Sequence, residues 1–383
     1  MTIGRMLVFL LVILGLTFGI HYYLWVRLVR DTAMPAPWDR IVTSAIIGLG
    51  ALLPISMVII RTAPRNVASP FAWVGYVWMG VMFLTFASLA PLEIARFIGN
   101  RTVAIDPDRR LAFARILGGL AGGAGVLLGA GGMVSALRSV SIEPVRVFLT
   151  KLRTGKTYKI VQIADVHIGP TIGKAWLEDV VAKINLEDAD VVAITGDLVD
   201  GSVASLGALV APLKDIKAKH GVYFVTGNHE YYSGADEWIA YLGTLGVRVL
   251  RNERLAIDGE DGFDLAGVDD ASAKNFGKGH GQDVARALAG RSPERAVVLL
   301  AHQPKAIIDA VKHSVDLQLS GHTHGGQIWP WGYAVRLDQR HVAGLAREGE
   351  TQIYVSRGTG YWGPPIRVGA PPEITRIEIV GTG

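Results

Sequence analysis

Along the first 140 residues the hydrophobic positions come in long unbroken runs rather than in alternation. Met6–Val26, Ile41–Ile60, Val67–Leu92 and Ile116–Leu137 contain no Asp, Glu, Lys or Arg. Each reaches the roughly 20 residues that a helix needs to cross about 30 Å of hydrocarbon. The pattern predicts a four-helix transmembrane region over 1–140. The first run closes on His21, Tyr22, Tyr23 and Trp25, amphipathic rings of the kind that favour a membrane–water interface. No small-x-small cleavage site follows it, so the run is expected to be retained. The second carries Pro54, which membrane helices tolerate. The fourth holds eight glycines, and Gly118/Gly122 and Gly125/Gly129 have the spacing that lets helix backbones approach closely.

From Ser141 the texture changes. Residues 141–157 read as a linker and 158–383 as an α/β domain, in which short apolar runs alternate with amphipathic ones. Strands are predicted at Tyr158–Ile163, Val191–Thr195, Val222–Thr226, Ala296–Ala301, Leu317–Ser320 and Ile353–Ser356. Helices are predicted at Lys174–Asn185, Val203–Lys217, Ala235–Leu245 and Pro304–Lys312.

Composition agrees with a chain partly in lipid. Half of the 383 residues are hydrophobic, 19% are charged and the mean hydropathy is +0.32, more apolar than a wholly soluble protein. The net charge of +4 resides largely in arginines beside the apolar runs, where they serve as membrane-end anchors, so no nucleic-acid partner is expected. Lysines and arginines divide evenly between the two faces of the spans, which leaves the side of the catalytic domain open. The absence of cysteine excludes disulfides, thiolate zinc sites and cysteine nucleophiles. The absence of charge within the four runs argues against a conducting path.

The chemistry collects just after the strands. Asp165 and His167 follow the first, Asp197 the second, Asn228 and His229 the third, His302 the fourth, and His322 and His324 the fifth. In α/β sheets the crevice beyond the carboxyl ends of strands is where binding residues gather. Any one of these residues has a bland explanation, but five successive strand ends delivering metal-ligand types do not.

These blocks, Asp165-Val-His167, Gly196-Asp197, Gly227-Asn228-His229, His302 and Gly321-His322-Thr323-His324, resemble the signature of the calcineurin-like metallophosphoesterase superfamily, over roughly residues 155–380. Gly196 to Asp200, Gly321 to Gln327 and Ser356-Arg357-Gly358 look like its branch of bacterial membrane-associated phosphodiesterases, similar to UDP-2,3-diacylglucosamine pyrophosphohydrolases. The resemblance implies a β-sandwich of mixed sheets flanked by helices. It also implies a binuclear centre with one metal on Asp165, His167, Asp197 and His324 and the other on Asp197, Asn228, His302 and His322. A bridging Asp197 would hold two cations about 3.5–4 Å apart for in-line displacement by a metal-bridging hydroxide. The donor set suits manganese, zinc or iron.

His229 resembles the family's catalytic histidine, expected to protonate the leaving oxygen. Glu230 and Asp200 are candidates to orient its ring, or else structural carboxylates. Arg357 and Gln327 are candidate substrate contacts, with Arg367 a weaker one. Asp269 and Asp270 match the branch without a derivable role, and Trp329, Trp331 and Trp362 form either an apolar lip or ordinary packing.

The expected activity is hydrolysis of a phosphodiester or diphosphate bond at a lipid bilayer, in a lipid or lipid-linked substrate. The alternatives are a general phosphoesterase for soluble nucleotides or diesters, and a metal-binding regulatory domain on a membrane channel or transporter.

Overall fold

The computed structural model describes residues 3–102 and 106–383; residues 1, 2 and 103–105 of the expected membrane region lie outside the described residues. The chain divides into two compact units, Met1–Val134 with Gly363–Val368, and Ser135–Trp362 with Gly369–Gly383.

The first unit is built from α1 (Ile3–Trp25, continued by a π-helical turn, Val26–Arg30), α2 (Trp38–Thr62), α3 (Arg65–Thr102) and α4 (Pro107–Leu137). These are four helices long and apolar enough to cross a membrane. Large apolar side chains such as Phe18, Ile47 and Leu127 face outward, as lipid requires of a helix with no aqueous side. The glycines do the packing. A methyl group at Gly125 would run into Thr85 of α3, and one at Gly129 would come within 2.8 Å of Val81.

The helices run past the apolar windows, so charge enters this unit at their ends. α3 continues beyond Leu92 to bring in Glu93, which accepts from Arg27 at 2.7 Å and from the Tyr23 hydroxyl at 3.1 Å. Arg27 also donates to Asp31 at 2.6 Å. Deeper in, Trp78 Nε1 donates to His21 Nε2 at 2.9 Å.

The second unit is a sandwich of two six-stranded mixed sheets. Its strands are β1 (Ser141–Leu149), β2 (Thr157–Ile163), β3 (Val191–Ile194), β4 (Val222–Phe224), β5 (Val247–Val249), β6 (Glu253–Ile257), β7 (Phe263–Gly267), β8 (Val297–Leu300), β9 (Leu317–Ser320), β10 (Gly344–Glu348), β11 (Thr351–Val355) and β12 (Glu373–Gly381). One sheet has the order β1-β12-β2-β3-β4-β5 and the other β10-β11-β9-β8-β7-β6. In the first, β2 to β5 run parallel; in the second, β7, β8, β9 and β11 do.

Strand alternation builds the layers. Tyr158 and Ile160 of β2 enter the core between the sheets, while Val161 and Ile163 face the outer layer. That layer is covered by α5 (Lys174–Leu186), α6 (Val203–Val210) and α8 (Ala235–Thr244), with α7 (Asn228–Ser233) between the last two. Trp238 of α8 is fully buried and donates through Nε1 to the Gly201 carbonyl at 2.9 Å. The other sheet is covered by α9 (Val284–Ala287) and α10 (Ile307–Lys312).

The segment expected as a linker is partly strand. β1 pairs parallel with β12 along nine residues, Ser141 opposite Glu373 through Leu149 opposite Gly381. As an edge strand carrying Glu143, Pro144 and Arg146, it lacks the apolar run of a central strand.

Candidate metal centre

The carboxyl ends of β2, β3 and β4 in one sheet and of β8 and β9 in the other supply every residue of the predicted blocks. Donor atoms of Asp165, His167 and His324 lie within 4.8 Å of one another, as do those of Asp197, His302 and His322. The two sets adjoin. Asp197 Oδ2 is 3.2 Å from His302 Nε2 and 3.9 Å from His167 Nε2.

The backbone is bent to achieve this. Asp165, His167, Asp197, His322 and His324 all have positive φ, between 52° and 73°, a region uncommon for residues with a Cβ. Such conformations persist where the surroundings over-determine them, and they concentrate at functional sites. Here the surroundings are specific. Asp165 N–H donates to the Gly196 carbonyl, His167 N–H to the Asp197 carbonyl, and His322 N–H to the Asp165 carboxylate at 2.8 Å. The block glycines make room: a methyl at Gly227 would strike the Asp197 carboxylate, and one at Gly321 that of Asp165.

Outer hydrogen bonds choose which ring nitrogen faces inward. His302 Nδ1 lies 2.8 Å from the Thr195 carbonyl, which can only accept, so Nδ1 carries a proton and Nε2 is the nitrogen turned to Asp197 and the centre. His167 Nδ1 likewise faces Asp200 Oδ1 at 3.0 Å, leaving Nε2 for the centre, 3.1 Å from His324 Nε2. His322 Nδ1 and His302 Nε2 approach to 3.2 Å. Asn228 Oδ1 is buried and accepts no hydrogen bond. Buried acceptors are normally satisfied, so this carbonyl oxygen, on the residue before His229, whose N–H donates to Asp197 Oδ1 at 2.9 Å, fits a cation ligand. Imidazole, carboxylate and amide together suit a transition-metal dication.

Asp200 accepts from two rings at once. Its Oδ1 is 2.6 Å from His229 Nδ1 and 3.0 Å from His167 Nδ1. Burial alone would raise its pKa, but the two imidazoles hold it well below the usual carboxylate range. Burial likewise works against a charged His229, yet the Asp197 charge and the Asp200 hydrogen bond push its pKa up to about 9. His229 Nε2 faces the centre, 4.0 Å from Asp197 Oδ2. For Asp197, burial is outweighed by His302, His229 and His167, so the carboxylate stays ionised.

Glu230 does not orient His229. Its carboxylate instead accepts backbone N–H groups of Gly227, Leu198 and Asp197 at 2.7–2.9 Å, bracing two ligand loops against each other. Asp270 accepts from Gln303 and from Ser272 beside the centre, whereas Asp269 pairs with Arg251 at 2.8 Å.

The candidate substrate contacts are engaged in support. The Arg357 guanidinium is 2.5 Å from Glu373 and 2.9 Å from Glu143. The Gln327 amide closes on both backbone groups of Trp362, donating to its carbonyl at 2.9 Å and accepting from its N–H at 3.0 Å. Arg367 is buried, on the segment Gly363–Val368 that groups with the first unit. Tyr232, one helical turn from Asn228 on α7, and Trp362 both set their rings at steep angles to His229, 67° and 74°, with 5.3 and 5.5 Å between centroids. Sequence reading passed over Tyr232 because nothing about a lone tyrosine marks it. His280 and His341 lie elsewhere, paired with Asp236 and Glu348.

Residues 158–326 match the family model described as calcineurin-like phosphoesterase. A bovine transmembrane protein with metallophosphoesterase domain is 37% identical over 328 residues, covering 80% of this chain and 73% of its own. An uncharacterized metallophosphoesterase from Helicobacter pylori is 39% identical over 251 residues, covering 65% of this chain and 66% of its own. Among solved structures, a dimetal phosphatase from Danio rerio aligns with a TM-score of 0.37 at 14% identity, covering 58% of this chain and 92% of its own.

Proposed function

The chain belongs to the calcineurin-like phosphoesterases, a family that works with two divalent cations, and on that premise we propose that it hydrolyses a phosphodiester or diphosphate bond in a lipid or lipid-linked substrate. The observation that carries the catalytic part is the convergence of Asp and His donors from both sheets, with a buried Asn228 carbonyl oxygen that has no hydrogen-bond partner.

In this reading Asp165, His167, Asp197 and His324 hold one cation, and Asp197, Asn228, His302 and His322 the other. The bound cations would supply charge to neutralise phosphoryl oxygens and a water acidic enough to serve as nucleophile near neutral pH. The remaining work falls to the chain. Asp200 fixes His229 by Nδ1, so Nε2 carries the proton to be given to the leaving oxygen. The flanking carboxylates keep that imidazole in its protonated form.

The lipid part rests on the four membrane-capable helices, because an anchored active site and an amphipathic substrate meet on one surface. A diphosphate-linked lipid, as in the branch the sequence resembles, is the form of substrate this favours.

The test is hydrolysis of bis-p-nitrophenyl phosphate by the full chain in detergent, metal-stripped and then given manganese or zinc, beside His229→Ala. Restored turnover that the variant lacks by about a hundredfold or more is expected. A folded, metal-loaded protein without turnover would sink the catalytic reading. The same protein is then given phospholipid and diphosphate-linked lipid in mixed micelles; turnover of soluble diesters alone would sink the lipid reading.

A further inference from the structure

Two exposed rings stand beside the one histidine that the proposed mechanism uses as acid. Tyr232 and Trp362 are 62% and 54% exposed, although large aromatic surface is ordinarily buried. Both are fixed by the elements that build the metal centre. Tyr232 shares α7 with Asn228 and His229, and Trp362 is held at N–H and carbonyl by Gln327, three residues after His324. Phe276, also exposed, continues the surface at 5.7 Å from Tyr232.

We propose that Tyr232 and Trp362 form the subsite for the leaving group, and that this group carries a flat, aryl-type ring close to the scissile oxygen. The inference rests on the role given to His229. If His229 Nε2 protonates the leaving oxygen, that oxygen lies within hydrogen-bond reach of the imidazole, and the atoms attached to it must pass over whatever flanks the imidazole. What flanks it is aromatic on two sides. Each ring stands on an element of the centre and lies steeply inclined to the imidazole, at 67° and 74°, so the two rings stand preformed beside it. A ring meets such faces with broad contact and little loss of conformational freedom, whereas an unbranched alkyl chain must be ordered to do so. The rings are therefore determinants of specificity.

The experiment compares kcat/KM of the full chain, manganese-loaded in detergent, on pairs of methyl phosphodiesters whose leaving alcohols are matched in acidity. One alcohol of each pair is a substituted phenol and the other a fluorinated acyclic alkyl alcohol. Matching acidity removes the chemical difference and leaves the contact. The parent should prefer the ring. Trp362→Ala and Tyr232→Ala should each lower the ratio of ring to alkyl kcat/KM by about threefold to tenfold, the size of an aromatic pair contact, and Trp362→Phe should recover most of it. Metal content is measured in each variant, so that damage to the centre is read separately.

Equal losses on both substrates, or an unchanged ratio in both alanine variants, would overturn the proposal while leaving the phosphoesterase reading intact. Absence of metal-dependent hydrolysis of any diester by the parent would overturn that reading, and the subsite with it.

Discussion

The two units of this chain place polar and apolar groups in opposite senses. In the membrane unit the outer surface is apolar, with Phe18 and Leu127 exposed, and polar contacts such as Trp78 to His21 are held between helices. In the catalytic unit the apolar residues form the layers, and the groups that matter are polar ones forced inside: Asp165, Asp197, His167 and His302, each at most 3% exposed. The same rule operates in both, since a buried polar group must find a partner. In the first unit the partners are neighbouring side chains and the result is packing. In the second the buried donors converge on one another beside an Asn228 carbonyl oxygen without a partner, and the set suits cations.

That contrast can be broken most severely at Asp197. Asp197→Asn should lower kcat/KM on a soluble diester by about a thousandfold or more, because the charge stabilisation supplied by bound metal is worth several kcal/mol. Metal analysis of the purified variant should show reduced loading. Full loading with full activity would remove Asp197 from the centre.

Asp200→Asn comes next, with an expected loss of about tenfold to a hundredfold, the usual effect of deleting an outer partner of a metal-bound histidine. Because Asp200 serves His167 as well as His229, metal affinity and kcat should both fall. A change in only one of them would assign the carboxylate to a single ring.

In the membrane unit the corresponding test is overpacking. Gly125→Leu, opposite Thr85, should destabilise the helices by about 1–3 kcal/mol, read as increased susceptibility to proteolysis in detergent. Leu127→Ala on the outward face should change the same readout by less than about 0.5 kcal/mol. Equal effects would mean that the glycine stripe is not a packing surface.

How far the sequence could be read follows the same division. A helix that crosses a bilayer is a local property, so the four runs announce themselves, and only their ends were misjudged: α3 reaches past Leu92 and brings Glu93 to Arg27. In the catalytic unit the buried strands β2, β3, β4, β8, β9 and β11 were legible because each is a short apolar run. β1 was not, since half of it faces outward and its partner β12 lies more than two hundred residues away.

The blocks themselves were visible as composition after each strand. Their geometry was not, because it depends on non-glycine residues in left-handed conformations. That is why Glu230, next to His229 in sequence, and Asp200, 29 residues before it, could not be told apart beforehand. Asp200 turned to the imidazole rings, and Glu230 turned to the backbone beneath them.

The centre draws its donors from both sheets, Asp197 from the strand ends of one and His302 and His322 from the other. It therefore works as a gauge of the sandwich itself. A shift of one sheet against the other by a fraction of an ångström, too small to alter the strand content of either, would spoil the registration of all the ligands together. In a denaturant titration, phosphoesterase activity should fade ahead of the far-ultraviolet circular dichroism signal, and added manganese should draw the two curves together.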